Sequence, residues 1–234
     1  MKPGHLLFGI AAAFAACILP SPAHAATGSQ AIEGVYAWTS VDGSSLDLVM
    51  TVDLGAQSTA AFDANTAYVF HTASGPAASA IPGPTSGGVD VICVFNATAP
   101  TTQCWAGADY VGGDASAMTF PTGLVSADGK VKVFAARRDD PFFWNRAGYA
   151  GFVSTYTMAG PSLPMSDAAG CPPLGATNSA GLLSTLNHDG TGGPPLDSNA
   201  GVAVLAVVVE VKKSLLTGNG PIVSVWGATH VRVP

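Results

Sequence analysis

Basic residues are scarce in this chain: nine Lys and Arg stand among 234 residues, against fifteen Asp and Glu. No Lys/Arg run exceeds two residues, as at Arg137-Arg138. Nucleic acid needs a basic footprint, and an anionic membrane surface needs a polybasic patch, so neither is expected as a partner. Metal and nucleophile signatures are also missing. There is no H-x-H, H-E-x-x-H or C-x-x-C, which argues against a zinc site of the usual spacing. No G-x-S-x-G elbow occurs, so no serine nucleophile announces itself. Glutamate is limited to Glu33 and Glu210, and a glycosidase-type carboxylate pair would have to be built from Asp. Beyond the N-terminus the longest apolar run is eight residues, 202–209. A helical membrane span needs about 20, so no transmembrane segment is expected there.

The N-terminus reads differently. Lys2 gives a positive start, and 6–19 (LLFGIAAAFAACIL) carries no charge. Pro20, Ser21 and Pro22 follow, then Ala23-His24-Ala25. A charged start, a short apolar core and a small-x-small site describe a secretory signal peptide. The expected cut falls after Ala25, placing the mature chain in the periplasm or outside the cell.

Residues 26–234 would then form a single domain. Charged residues make up only 10% of the whole chain and apolar residues 48%, the reverse of a disordered composition. Gly and Pro are frequent, at 28 and 17, which predicts many turns. Thirteen of the fifteen acids are Asp, a residue suited to turns whose side chain bonds the nearby backbone. The same oxygen-rich loops suit calcium, the one cofactor this composition brings to mind. Asp189-Gly190-Thr191-Gly192 looks like part of a calcium loop but lacks its alternating acids, so a turn is the better reading.

Cys93, Cys104 and Cys171 remain after cleavage, and export permits disulfides. Cys93 and Cys104 flank a ten-residue stretch (VFNATAPTTQ) with the look of a hairpin connection. A bridge between them is expected, leaving Cys171 odd.

Period-two alternation dominates the pattern. In 46–53, Leu46, Leu48, Met50 and Val52 share one face. In 89–95, Val89, Val91, Cys93 and Phe95 do the same. Strands are also predicted at 35–40, 66–72, 130–136 and 222–228. The β-branched run 202–211 reads as a strand buried on both faces. A helix is expected from Asp140, with Asp as N-cap and Pro141 in the first turn, running until Gly148 weakens it. A second is expected at 179–187. The stretches 75–88, 157–178 and 188–201 read as loops. The fold class is all-β: a two-sheet sandwich or related barrel with long Gly/Pro-rich loops and one or two short helices.

For chemistry, the histidines His71, His188 and His230 have no local catalytic context. The denser cluster is Arg137-Arg138-Asp139-Asp140, followed by Phe142, Phe143, Trp144 and Asn145. Local ion pairing and helix capping explain much of it. The functional reading is a polar group against an apolar wall that shields a ligand. Arg138, Asp139, Asp140 and Asn145 are therefore the candidate ligand-binding residues.

The same segment, 133–145 (VFAARRDDPFFWN), resembles a bacterial family of exported proteins catalogued as domain of unknown function 4331, with its motif F-A-G-x-R-D-D-P-F-F-x-D. Phe134, Ala135, Arg138, Asp139, Asp140, Pro141, Phe142 and Phe143 match. Ala136 stands where Gly is usual, and Asn145 where Asp is usual. The segments 34–53 and 203–229 are similar to the family's opening and closing strands, with Lys212 in place of the usual Pro. The family's polar opening, S-H-R-E-A-P with an Asp-rich stretch, is missing from 26–34 (ATGSQAIEG). The resemblance implies an exported protein and no particular activity. The expectation is a non-catalytic module that binds a small molecule, metal or protein partner. The alternatives are a hydrolase using Asp139 or Asp140 and a structural component of a surface assembly.

Overall fold

The computed structural model describes residues 28–76, 82–83, 87–96, 101–114, 122–159, 167–168 and 174–232. The expected signal peptide with its cut after Ala25, and Cys171, lie outside them. Among the described residues, ten strands form two antiparallel five-stranded sheets. One contains β1 (Ile32–Thr39), β2 (Ser45–Val52), β9 (Ala203–Lys212), β8 (Val131–Asp139) and β7 (Leu124–Val125), in that spatial order. The other contains β10 (Ile222–Val231), β3 (Thr66–Gly75), β4 (Val91–Asn96), β5 (Thr101–Ala106) and β6 (Asp109–Asp114). The protein is a β-sandwich, and the barrel alternative falls away because the two sheets remain separate.

Alternation decides which side chains meet between the sheets. Leu48, Met50 and Val52 of β2 point inward with Val207, Val209 and Val211 of β9 and Val131 and Val133 of β8. Tyr68, Phe70, Val91, Cys93 and Phe95 meet them from the other sheet. Each such side chain contributes roughly 1.5–3 kcal/mol by leaving water. β9 lies between β2 and β8; residues 203–207 are buried on both faces, while Val208, Glu210 and Lys212 are only half-buried, so the expected two-sided burial holds for the first half of the strand. Gly227 of β10 closes one side of the sandwich. A Cβ there would meet Val35 Cγ2 at 2.6 Å and Met50 Cε at 2.9 Å, so only glycine lets the sheets approach so closely.

Asp42-Gly43 makes the β1–β2 turn. Asp42 Oδ1 accepts from the Ser44 N–H at 2.9 Å and the Ser40 hydroxyl at 2.7 Å, and Gly43 has φ +72°. Cys93 and Cys104 are direct partners on β4 and β5, bridged with their Cα atoms 4.2 Å apart. The stretch between them is only partly a connection, because β4 runs to Asn96 and β5 starts at Thr101. β5, β6 and β7 carry too weak an apolar pattern to stand out in the sequence. In β5 the inward positions are Thr102, Cys104 and Ala106.

The helices differ most from expectation. No helix begins at Asp140. Residues 140–145 are irregular, and α1 covers Arg146–Ala159, running through Gly148. The cause is tertiary: hydrogen bonds from the loop before β9 hold 140–145 out of helical geometry. α2 covers Gly175–Leu186, so the stretch 157–178 is partly helical at both ends. A short α3, Lys213–Leu216, follows β9. α1 and α2 pack against each other. Gly148 is the buried residue of α1 and Leu182 that of α2.

Candidate functional site

β8 and β9 are paired from Val131↔Val211 to Asp139↔Ala203. The chain therefore leaves the sheet at 140 and returns at 202, and the helical hairpin belongs to this excursion. The Asp140 N–H still donates to Val202 O at 2.8 Å, extending the ladder one step. Beyond that step the two strands' loops are cross-braced. Asp140 Oδ1 accepts from the Phe142 N–H at 3.1 Å, and Oδ2 accepts from Asn199 Nδ2 at 2.9 Å. Asp197 Oδ1 accepts from the N–H groups of Trp144 and Asn199, both at 3.0 Å. The Ser198 N–H donates to Trp144 O at 2.8 Å.

These braces shape a cleft of about 430 Å³ at this end of the sheet. Asp140, Phe142, Trp144 and Arg146 line one side, and Ser198 and Asn199 line another. Glu33 and Leu54 complete it. Glu33 gets there by a β-bulge: Ile32 pairs with Val52 but Gly34 pairs with Thr51, so Glu33 is the extra residue. Such bulges re-aim a side chain and are frequent beside binding sites. Leu54 sits in the turn after β2, held by the Gly55 and Ala56 N–H groups, which donate to Ala203 O at 2.8 and 2.9 Å. The Phe142 and Trp144 rings stack with centroids 6.1 Å apart and planes 22° apart. The wall is thus apolar, with a carboxylate and a guanidinium at its rim. Asp140 also acts beyond its own hydrogen bonds: the Tyr36 phenol is pushed up, first by burial and then by the Asp140 charge.

The sequence candidates divide here. Asp140 lines the cleft as a brace, with both carboxylate oxygens engaged. Asp139 ends β8, exposed, outside the lining. Arg138 also lies outside it, with its guanidinium 4.7 Å over the Phe134 ring. Asn145 sits behind the cleft as the N-cap of α1. Its Oδ1 accepts from the Gly148 N–H at 3.1 Å, and its Nδ2 donates to Leu186 O and His188 O, each at 2.8 Å. The Asn145 amide thus supplies the N–H donors that tie the start of α1 to the end of α2. Glu33, Leu54, Arg146, Ser198 and Asn199 escaped the sequence reading. The only signal for them was Asp197-Ser198-Asn199, a polar turn just before a strand.

Other candidates have structural roles. Asp189 Oδ1 accepts from the Thr191 N–H and hydroxyl, both at 2.8 Å, and from the Gly193 N–H at 2.9 Å, so it builds a turn. His188 Nδ1 lies 2.6 Å from Ser184 O, at the end of α2. His71 Nδ1 is 2.9 Å from Asp90 Oδ1, and its ring stacks on Trp226. Among the described residues no group of three or more His, Cys, Asp or Glu could hold a metal ion. Among those residues, too, no helix is long and apolar enough to cross a membrane.

Fold and site together define a two-sheet β-sandwich with a braced cleft between a strand bulge and a helical excursion. No family model, curated protein or solved structure matches the chain.

Proposed function

We propose that this is an exported, non-catalytic β-sandwich module that binds a ligand in the cleft at the end of β8, in the periplasm or at the cell surface. The reading includes kinship with the exported family that 133–145 resembles. One observation carries it: a bulge presents Glu33 to a cavity that also has Arg146 and the stacked Phe142 and Trp144. Opposite charges beside an apolar floor, in a concave site of this size, suit a small polar ligand with a flat apolar face. The brace on Asp140 argues for binding over hydrolysis. A carboxylate accepting hydrogen bonds on both oxygens is held as part of a wall.

The test is a thermal-melt screen of the mature chain against small polar metabolites, with Glu33→Gln and Arg146→Ala beside the native protein. A stabilising compound whose effect disappears in either variant is the expected result. Stabilisation that survives both substitutions would move the site elsewhere. Elemental analysis and melts with and without chelator address calcium: no bound metal and an unchanged melt would sink a calcium-dependent version.

A further inference from the structure

The helical hairpin exposes large apolar side chains: Tyr149, Val153, Tyr156 and Met158 on α1 and Leu183 on α2. Phe142 and Trp144 in the cleft begin a chain of ring contacts that runs on along α1. Trp144 to Tyr149 is 5.0 Å between centroids, Tyr149 to Phe152 is 6.4 Å, and Phe152 to Tyr156 is 6.3 Å. The planes of the last two pairs are only 19° and 8° apart. Residues 149, 152 and 156 share one helix face by their spacing. Tyr149 is 46% exposed and Tyr156 37%. Tyr156 also lines a second cavity of about 320 Å³ between α1 and α2, with Leu174, Asn178 and Leu182. A row of rings thus joins two cavities.

Charge narrows the occupant. α1 and α2 together hold one charged side chain, Arg146, and it stands in the cleft. A polyanion would find no cationic row and a polycation no acidic one. A helix lying on a membrane surface is normally rich in Lys and Arg, and this hairpin is not. Exposed apolar surface of this kind marks an interaction site. A neutral polysaccharide has what the track lacks and needs: C–H faces to lie on aromatic rings, and hydroxyl edges for polar side chains. The polar side chains gather at the cleft end, in Arg146, Asn199, Ser198 and Glu33.

We propose that the cleft and the aromatic row of α1 form one extended track that binds a neutral polysaccharide chain. This rests on the ligand-binding reading of the cleft and adds the class of ligand and its direction. The experiment is native gel electrophoresis of the purified mature chain in gels containing hydroxyethylcellulose, dextran or xyloglucan, with alginate as the anionic comparison. Tryptophan fluorescence titrations with short neutral oligosaccharides accompany it. At least one neutral glycan should retard the protein and alginate should not. Trp144→Ala should weaken binding of long and short glycans about three- to tenfold, the range of one ring's stacking contribution. Tyr156→Ala should weaken the long chain by a similar factor and leave a disaccharide unaffected. Tyr149→Ala serves as a second variant on the same face, with circular dichroism confirming the fold of each.

Failure to bind any of the neutral glycans overturns the proposal, as does retardation unchanged in both Trp144→Ala and Tyr156→Ala. Binding to phosphatidylcholine vesicles, or concentration-dependent dimerisation, that is lost in Tyr149→Ala would assign the face to lipid or to a second copy instead. The two readings also fail separately. A small ligand lost in Arg146→Ala without glycan binding keeps the cleft and sinks the track. Glycan binding lost in Tyr156→Ala but indifferent to Arg146→Ala keeps the helix face and sinks the cleft.

Discussion

Asn199 Nδ2 donates to Asp140 Oδ2 at 2.9 Å and also reaches Phe142 O at 3.3 Å. One amide therefore joins the loop that leaves β8 to the loop that enters β9. Asn199→Ala should remove about 1.5 kcal/mol of stability, the low end for a hydrogen bond to a charged group, because the pair is only part-buried. Ligand affinity should fall as well, because Phe142 loses its anchor. Urea unfolding measures the first effect and the melt screen the second. A variant as stable as the native protein would show that the brace is idle.

Gly148 tests the hairpin. A Cβ at this position would meet the backbone oxygens of Thr185 and His188, both at 2.6 Å. Backbone cannot swing aside as a side chain can, so Gly148→Ala should push α1 and α2 apart at a cost of about 1–3 kcal/mol. The helical circular dichroism signal should then melt ahead of the sandwich. A single transition at the native temperature would contradict this.

Cys93 and Cys104 are both fully buried, and they close a short loop. The bridge should be inert to mild reductant while the protein is folded. Once it is reduced in denaturant, the chain should refold about 3 kcal/mol less stable, the contribution expected of a loop this short. Thiol labelling with and without urea separates the two stages, and rapid reduction of the folded protein would go against the burial.

Acid should destabilise the fold. Several carboxyls lie below their ordinary range: Asp42 mainly through the Ser44 N–H, Asp63 through the Asn65 N–H, Asp128 through the Lys130 ammonium, and Asp189 through the Thr191 hydroxyl. A depressed acid stabilises the native state fully above its unfolded value of about 3.9. That contribution is lost as the pH falls through the lower native value. Asp47 runs the other way, raised by burial and then by the Glu210 charge, and it offsets a small part of the loss. The urea midpoint should be nearly level from pH 7 to about 5 and should drop below about 4. A midpoint at pH 3 equal to that at pH 7 would be the contrary result.

Much of the fold was legible because burial on one face writes itself into the sequence. The alternation at Leu48, Met50 and Val52 and the run into Val211 named the two strands at the middle of one sheet. β5 and β6 were not legible: small and polar inward residues such as Thr102 and Ala106 carry no apolar period, and β6 contains Gly112-Gly113. The site was legible only where chemistry and sequence coincide. Asp140, Phe142 and Trp144 stood in one short segment. Glu33 did not, because a bulge is a matter of register between two strands and leaves no mark on one of them. The helix start was misplaced for a similar reason. Asp140-Pro141 is a sound local N-cap signal, but Asp197 and Asn199, more than fifty residues later, claim the same backbone for a turn.

The pairing of Asp139 with Ala203 at the root of the excursion has a further meaning. Residues 140–202 depart and return at neighbouring points, so the sandwich closes beneath them whatever their length. Loop-closure entropy grows only slowly with the number of residues enclosed. The segment is in effect a cassette: a shorter or different insert could be grafted onto the same two strands with the scaffold unchanged. The cleft would change with such an exchange, except for Glu33 and Leu54, which the scaffold itself contributes.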